Sequence, residues 1–370
     1  MKSKGLRGVE AGSTSICTVG ENGKGLLYRG YDVVDLSEDC IFEEICYLLL
    51  YGKLPNKFEL KEFVDEIISK RNLPDSLKNV LEKIPKLTNP MDVLRTACSF
   101  LGNIEPEKSF DNQMRCSERL LGIFPSALNY WYHFSHFGKK ISEENESQTI
   151  AGHFLSTLHG RKPTETEEKV MNISLILYAE HEFNASTFAA RVCAATLSDF
   201  YSCVTAAIGT LSGPLHGGAN EKAMNLISRF EDEESAAKSI YKMLDNKKLI
   251  MGFGHAVYKK QDPRNDIIKK WSKKLSVGNR NEKLYGISCR IEKIMREEKN
   301  LFANADFFHA SAYHFMSIPT KLFTPIFVCS RVSGWSAHII EQRSDNKLIR
   351  PGAKYIGNKP QRFIPINDRK

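Results

Sequence analysis

Apolar residues recur at three- and four-residue spacing from about Glu43 to Arg343, a period that leaves little of the chain free to form a sheet. Glu43–Leu50, Lys57–Lys70 and Pro90–Leu101 carry it first, the last with proline in its opening turn. It returns through Ser117–Phe137, Thr149–Leu158, Glu165–Leu177, Ser186–Gly209, Asn220–Phe230 and Ser235–Asp245, and then through Pro263–Lys274, Lys283–Glu297, Phe307–Met316 and Ile326–Arg343. The spacing predicts a mainly α-helical protein. β-signals are confined to the beginning, where Ser13–Val19 and Leu26–Tyr28, separated by Gly20, Gly23 and Gly25, read as a short hairpin.

A chain of 370 residues is longer than the roughly 250–300 at which one core stops growing, so two lobes are expected. Lys and Glu are dense between about Glu221 and Lys299, which suggests a smaller, more solvated lobe inserted into a larger body. No repeat or low-complexity segment interrupts this pattern. The tail from Arg350, with Pro351, Gly352, Gly357, Pro360 and Pro365, is expected to be extended and to pack over another surface.

Lys and Arg number 52 against 44 Asp and Glu, a net charge of +8 that suits a polyanion, an acidic membrane or an anionic small molecule. No nucleic-acid motif accompanies basic pairs such as Lys269-Lys270 and Lys273-Lys274, and acidic residues are interleaved throughout, so no nucleic-acid partner is expected. No segment approaches the roughly 20 apolar residues of a membrane-spanning helix. The opening MKSKGLRGVEAG has no apolar run behind its charges, so neither secretion nor anchoring is expected. Nine scattered cysteines without a Cys-x-x-Cys pair point to reduced thiols in a cytoplasm rather than to disulfides or zinc. The His133/His136 pair, in a strongly aromatic helix, is read as structural, as are His153, His159, His309, His314 and His338; no metal is expected.

Three segments stand out: two combine Gly and Pro with His where a core helix would be penalised, and the third sets Asp before an aromatic helix. In Gly213–Asn220, glycines and a proline break one helical pattern before another begins, placing His216 beside free backbone N–H groups; a turn capped by histidine fits the same residues. In Met251–Arg264, Asp262-Pro263 reads as an N-cap and first helical residue, and His255, Lys259, Lys260 and Arg264 form either an anion site or a solvated basic turn. In Asn304–Tyr313, Asp306 reads as an N-cap or, beside aromatic rings, as a carboxylate with a raised pKa suited to general base catalysis.

The phrases AEHEFNASTF (179–188), GPLHGGANE (213–221), GFGHAVYKKQDPR (252–264), NADFFHAS (304–311), LFTPIFVCSRVSGWSAHIIEQR (322–343) and IRPGAKYIG (349–357) occur in order, with RGYDVVDL (29–36) and NPMDVLRTA (89–97) before them. Together they resemble the citrate synthase family over nearly the whole chain. GVEAGSTSICTVG (8–20), LNYWYHFSHFGKKI (128–141) and TIAGHFLSTLHGRKP (149–163) resemble the 2-methylcitrate synthase branch of that family.

The resemblance implies the citrate synthase fold: a large helical domain of residues 1–219 and 319–370, a small helical domain of residues 220–318, and an active site in the cleft between them. It implies condensation of propionyl-CoA with oxaloacetate, with side activity on acetyl-CoA, because one methylene in an apolar pocket discriminates by only about 1–3 kcal/mol. The alternative it leaves open is acetyl-CoA as the main substrate. The CoA thioester is a substrate, and no cofactor is implied.

By resemblance Asp306 is the base, His216 donates to the thioester oxygen and His255 to the ketone oxygen of oxaloacetate. His181, Arg264, Arg331 and Arg350 match the oxaloacetate ligands, with Arg350 reaching into the partner subunit of a homodimer, and Arg71 is a weaker candidate whose other reading is a surface helix end. Leu249, Ile250, Met251, Gly252 and Phe253 match the segment that contacts CoA, with Lys259 and Lys260 near its phosphates. Ala256 departs from the Arg or Pro of many relatives, so the resemblance carries over no side-chain phosphate contact at that position.

Overall fold

The computed structural model describes residues 5–6, 8–20 and 25–369. Gly23 of the expected hairpin, and several residues of the opening MKSKGLR segment, lie outside the described residues. Strands β1 (Cys17–Val19), β2 (Leu26–Tyr28) and β3 (Tyr31–Asp32) form an antiparallel sheet in that order, with Cys17 opposite Tyr28 and Leu27 opposite Asp32. The third strand, only two residues long, is too short to give a periodic signal.

Sixteen α-helices follow among the described residues. They are α1 (Val33–Asp39), α2 (Phe42–Tyr51), α3 (Lys57–Ser69), α4 (Asp75–Lys83), α5 (Pro90–Ile104), α6 (Gln113–Phe137), α7 (Ile150–His159) and α8 (Glu165–Tyr178). Then come α9 (Ala185–Ala195), α10 (Phe200–Leu211), α11 (Ala219–Ile227), α12 (Glu233–Asp245), α13 (Pro263–Ser276), α14 (Lys283–Lys299), α15 (Ala305–Phe315) and α16 (Phe323–Ser344). The mainly α expectation holds. The run expected over Ser186–Gly209 is two helices, because Leu197 takes a left-handed φ of 65° and Asp199 caps a new helix through Ser202 N. Neither glycine nor proline marks that break.

Helix α16 is buried on nearly every side, as its apolar sequence requires, and packs against α2, α6, α8, α9 and α10. The hairpin braces the end of α8: the buried Tyr28 hydroxyl donates to the carbonyls of Ile176 at 3.0 Å and Glu180 at 3.2 Å. Helices α11 to α15 pack chiefly on one another, through α13 against α15, α11 against α15 and α12 against α14. Contacts of α13 and α15 with α8, and of α11 with α16, bring them against the rest of the chain. Beyond Ser344 the chain runs without helix to a short turn at Ile366–Asp368, with Tyr355, Ile356 and Phe363 more than three-quarters exposed. No described helix is long and apolar enough to cross a membrane.

Candidate active site

A cavity of about 730 Å³ lies where four helices begin. Ala185, Ala219 and Ala305, the first residues of α9, α11 and α15, line it together with Arg264, the second residue of α13. Each helix start directs unpaired N–H groups and the positive end of a macrodipole toward the same space, which favours anionic ligands and disfavours protonated imidazole. Asn184, Asp262 and Asn304 cap three of these helices through their side chains. The fourth begins at Gly218, held at φ 82°, and a Cβ on the adjacent Gly217 would strike the Leu211 carbonyl. These glycines, rather than a side-chain cap, make the α10–α11 junction.

His216, at that junction, turns Nε2 toward the start of α9. The Ser186 backbone N–H donates to it at 3.2 Å and Ser186 Oγ lies at 2.9 Å. A nitrogen that accepts a backbone N–H carries no proton, so the proton of the neutral ring is on Nδ1. Burial, aided by Arg331, pushes the pKa of His216 down to about 4 and keeps the ring neutral near pH 7.

His255 is set the opposite way. Its Nδ1 accepts from the backbone N–H groups of Val257 at 3.1 Å and Tyr258 at 3.2 Å, which leaves the proton on Nε2. Burial and then the Arg264 charge lower its pKa to about 4. His181 packs edge-on to it, ring centroids 5.0 Å apart, with Nε2 3.3 Å from the Tyr258 hydroxyl. Burial, followed by Arg264, holds His181 well below the usual histidine range.

Asp306 is not the N-cap of its helix; Asn304 is, accepting from Asp306 N at 3.1 Å. That frees the Asp306 carboxylate, which accepts from the Tyr178 hydroxyl at 2.8 Å. Burial raises its pKa above the usual aspartate value and the Tyr178 hydrogen bond opposes the rise. His309 stacks on the Tyr178 ring at 4.2 Å and Phe327 packs on it at 4.0 Å, fixing the phenol.

Residues 252–254 and 302–304 are stitched together. Asn304 N donates to Gly252 O at 2.9 Å, Gly254 N to Phe302 O at 2.8 Å, and Asn304 Nδ2 to Gly254 O at 3.0 Å. His255 follows the first segment directly and Asp306 the second after one residue, so the backbone constrains their separation. Asp262, fully buried, holds the Arg264 guanidinium through Oδ1···Nε at 2.9 Å and Oδ2···Nη2 at 2.8 Å and also accepts from Ala305 N at 3.0 Å. Burial works against its ionisation, but Arg264 more than offsets this and holds Asp262 below the ordinary range. Sequence reading assigned Asp262 only the cap; its tie between α13 and α15 needed the fold. Arg331, buried on α16, donates through Nε to Tyr178 O at 2.6 Å and lines the cavity.

The cavity thus gathers His181, His216, His255, Arg264, Asp306 and Arg331. Arg71 is elsewhere: it is 4% exposed, not a surface helix end, and its Nη1 donates to Ser147 O at 2.6 Å beneath the α7 start. Arg350 lies exposed on the tail and is not among the residues lining the cavity. Of the segment before His255, Leu249 and Met251 line the cavity, whereas Ile250 is buried and Gly252 and Phe253 pack against Phe307. Lys259 and Lys260 are exposed on the loop beyond His255. Among the described residues no group of three or more His, Cys, Asp or Glu side chains is placed to hold a metal ion.

The family model described as citrate synthase, C-terminal domain, matches residues 5–352. The chain is 58% identical over 365 residues to a 2-methylcitrate synthase of Shewanella oneidensis, covering 99% of this chain and 97% of that protein. It is 43% identical to citrate synthase 2 of Bacillus subtilis, covering 99% of each. Among solved structures it matches the Thermoplasma acidophilum citrate synthase in ternary complex with carboxymethyl coenzyme A and oxaloacetate, with TM-score 0.92, 33% identity and 99% of each chain covered. Thermotoga maritima citrate synthase matches with TM-score 0.88 and 37% identity over the whole of both chains. Fold and matches define a transferase that converts an acyl group into an alkyl group on transfer. The chain belongs to the citrate synthase family.

Proposed function

We propose that this enzyme condenses propionyl-CoA with oxaloacetate and water to give 2-methylcitrate and CoA, with side activity on acetyl-CoA. The observation that carries the reading is the convergence of Asp306 with two neutral histidines whose protons sit on opposite ring nitrogens. Identity to the Shewanella protein, higher than to the Bacillus citrate synthase, favours the propionyl substrate.

Asp306 takes the α-proton of the thioester while His216 Nδ1–H donates to the thioester oxygen as it becomes enol-like. A neutral donor suits this, since the enol then forms without a full charge transfer to a buried ring. His255 Nε2–H donates to the ketone oxygen of oxaloacetate and polarises its carbon for attack. The new bond joins the thioester α-carbon to that carbon; water then cleaves the methylcitryl thioester and releases CoA. Arg264, Arg331 and His181 bind the two carboxylates of oxaloacetate, with guanidinium planes matching carboxylate geometry.

Leu249 and Met251 contact CoA within the cavity, and Lys259 and Lys260 neutralise its phosphates from the loop beyond. Ile250, Gly252 and Phe253 shape that segment from behind. Residues 220–318 act as a small domain that closes on residues 1–219 and 319–370. The exposed apolar tail packs on a partner subunit, so that Arg350 completes the partner's oxaloacetate site in a homodimer.

Thiol release from propionyl-CoA and oxaloacetate tests the reaction, with kcat/KM for propionyl-CoA expected to exceed that for acetyl-CoA. The reverse order assigns acetyl-CoA as the main substrate; no release with either removes the proposal.

A further inference from the structure

Helix α11 meets the cavity with its first turn. Ala219, Asn220 and Lys222 line the cavity, whereas Glu221 turns to α16, where its carboxylate accepts from Thr324 N at 3.2 Å and from the Thr324 hydroxyl. Ala219 and Lys222 stand three residues apart and so share one face of the helix. Leu215, just before His216, and Leu249 add exposed apolar surface to the same cavity wall.

Two donors on this turn have no acceptor in the protein. Asn220 is only 2% exposed, and its Oδ1 accepts from the Glu221 N–H at 2.8 Å. Only the oxygen of an amide accepts such a bond, so the side chain has one orientation and Nδ2 is its other end. Among the described residues nothing accepts from Nδ2, which opens on the cavity that Asn220 lines. Lys222 is exposed, forms no ion pair among the described residues, and is the one lysine lining the cavity; Lys259 and Lys260 are not among the lining residues. Arg264, the other cation at a helix start, is already held by Asp262.

An acyl-CoA presents acceptors in a matching order. Its two pantetheine amides stand between the thioester and the first phosphate, and the chain here runs from His216, assigned to the thioester, through Asn220 four residues on, to Lys222 two residues beyond. The lysine stem carries its compact charge further along the same line, and an ammonium on a flexible stem suits a phosphate. Resting on the reaction proposed above, we propose that the first turn of α11 binds the arm of the acyl-CoA: Asn220 Nδ2–H donates to an amide carbonyl of the pantetheine, and the Lys222 ammonium pairs with a phosphate.

The test compares Lys222→Ala and Asn220→Ala with the parent on two thioesters, propionyl-CoA and propionyl-pantetheine, the second keeping the amides without the phosphates. Lys222→Ala is expected to raise KM for propionyl-CoA by about 3- to 10-fold, the scale of a partly screened charge-assisted pair, while kcat and KM for oxaloacetate stay within about 2-fold. The rise shrinks as ionic strength increases, and KM for propionyl-pantetheine moves by less than about 2-fold. Asn220→Ala is expected to raise KM for both thioesters alike, by about 3- to 10-fold, the scale of one net hydrogen bond. A Lys222→Ala loss equal on the two thioesters, a rise in KM for oxaloacetate in its place, no change with propionyl-CoA, or an Asn220→Ala variant that matches the parent overturns the proposal. Where Asn220→Ala does not fold, Asn220→Asp keeps the acceptor for the Glu221 N–H, removes the donor, and is read on propionyl-pantetheine, which carries no charge to repel. A parent enzyme that releases no thiol signals failure of the proposed reaction instead; calorimetric titration of parent and variants with CoA and with pantetheine then decides the role of the α11 turn by the same pattern of affinities.

Discussion

At the residue scale, three side chains have settings that make distinct demands on pH. Asp306 must be ionised to act as a base, and the Tyr178 hydroxyl favours the ionised form against the burial that opposes it. In Tyr178→Phe that help is gone, so the Asp306 pKa rises further and the acidic limb of the kcat profile moves to higher pH. An unshifted limb in a pH–rate series removes this role. Asp306→Asn keeps the shape but not the base, and kcat is expected to fall by about 10²–10⁴-fold with the melting temperature near that of the parent. In the sequence, Gly and Pro beside His drew attention to His216 and His255, and a carboxylate beside aromatic residues to Asp306, while their roles rested on the family resemblance. The sequence could not tell which ring nitrogen holds each proton, since that depends on Ser186, 30 residues from His216, and on a turn at Val257 and Tyr258.

Elements rather than single residues bring the cationic groups to bear. Four helix starts meet at the cavity, and Asp262 ties two of them together through Arg264 and the Ala305 N–H. Asp262→Asn leaves the buried guanidinium without its counter-charge, a loss of about 3–5 kcal/mol by analogy with broken buried pairs. Both a lower melting temperature and a raised KM for oxaloacetate are expected; a variant matching the parent in both contradicts the coupling. In α16, a Cβ at Gly334 would collide with the Glu180 carboxylate and the Ala179 carbonyl. Gly334→Ala is expected to cost about 1–3 kcal/mol, the scale of overpacking, measurable by denaturant unfolding. Periodicity found most helices to within a few residues, yet it joined α9 to α10, because the left-handed turn at Leu197 uses no residue that announces one. The meeting of helix starts was likewise invisible, being a property of how distant segments pack.

For the whole molecule, buried neutral histidines set a common response to acid. Burial lowers His153 and His309 to about 3 and His216 and His255 to about 4, and holds His181 well below its usual value. In the unfolded chain each titrates near 6.5, so below that pH the unfolded state binds more protons and stability falls as pH drops toward the folded values. Calorimetry should find the melting temperature falling from about pH 6.5 downward; a constant value between pH 7 and pH 5 contradicts it. The trans role proposed for Arg350 has its own test. Mixing Asp306→Asn with Arg350→Ala, each inactive alone, should recover activity after subunit exchange, because one site in each hybrid then has both groups; no recovery argues for action within one chain. Length and charge density suggested a lobe between about Glu221 and Lys299, while the continuous core that joins α11–α15 to the other described helices could be seen only once the chain was folded. The two ring protons to which catalysis is assigned by proposal carry a consequence for descent. Val257 and Tyr258 hold the His255 ring by main-chain N–H groups, and Ser186 holds His216 partly in the same way. Almost any side chain can drift at positions 257 and 258 without altering which nitrogen is protonated, since only proline removes the donor. The acid chemistry is therefore inherited with the course of the backbone, and can outlast wide divergence of the residues that surround it.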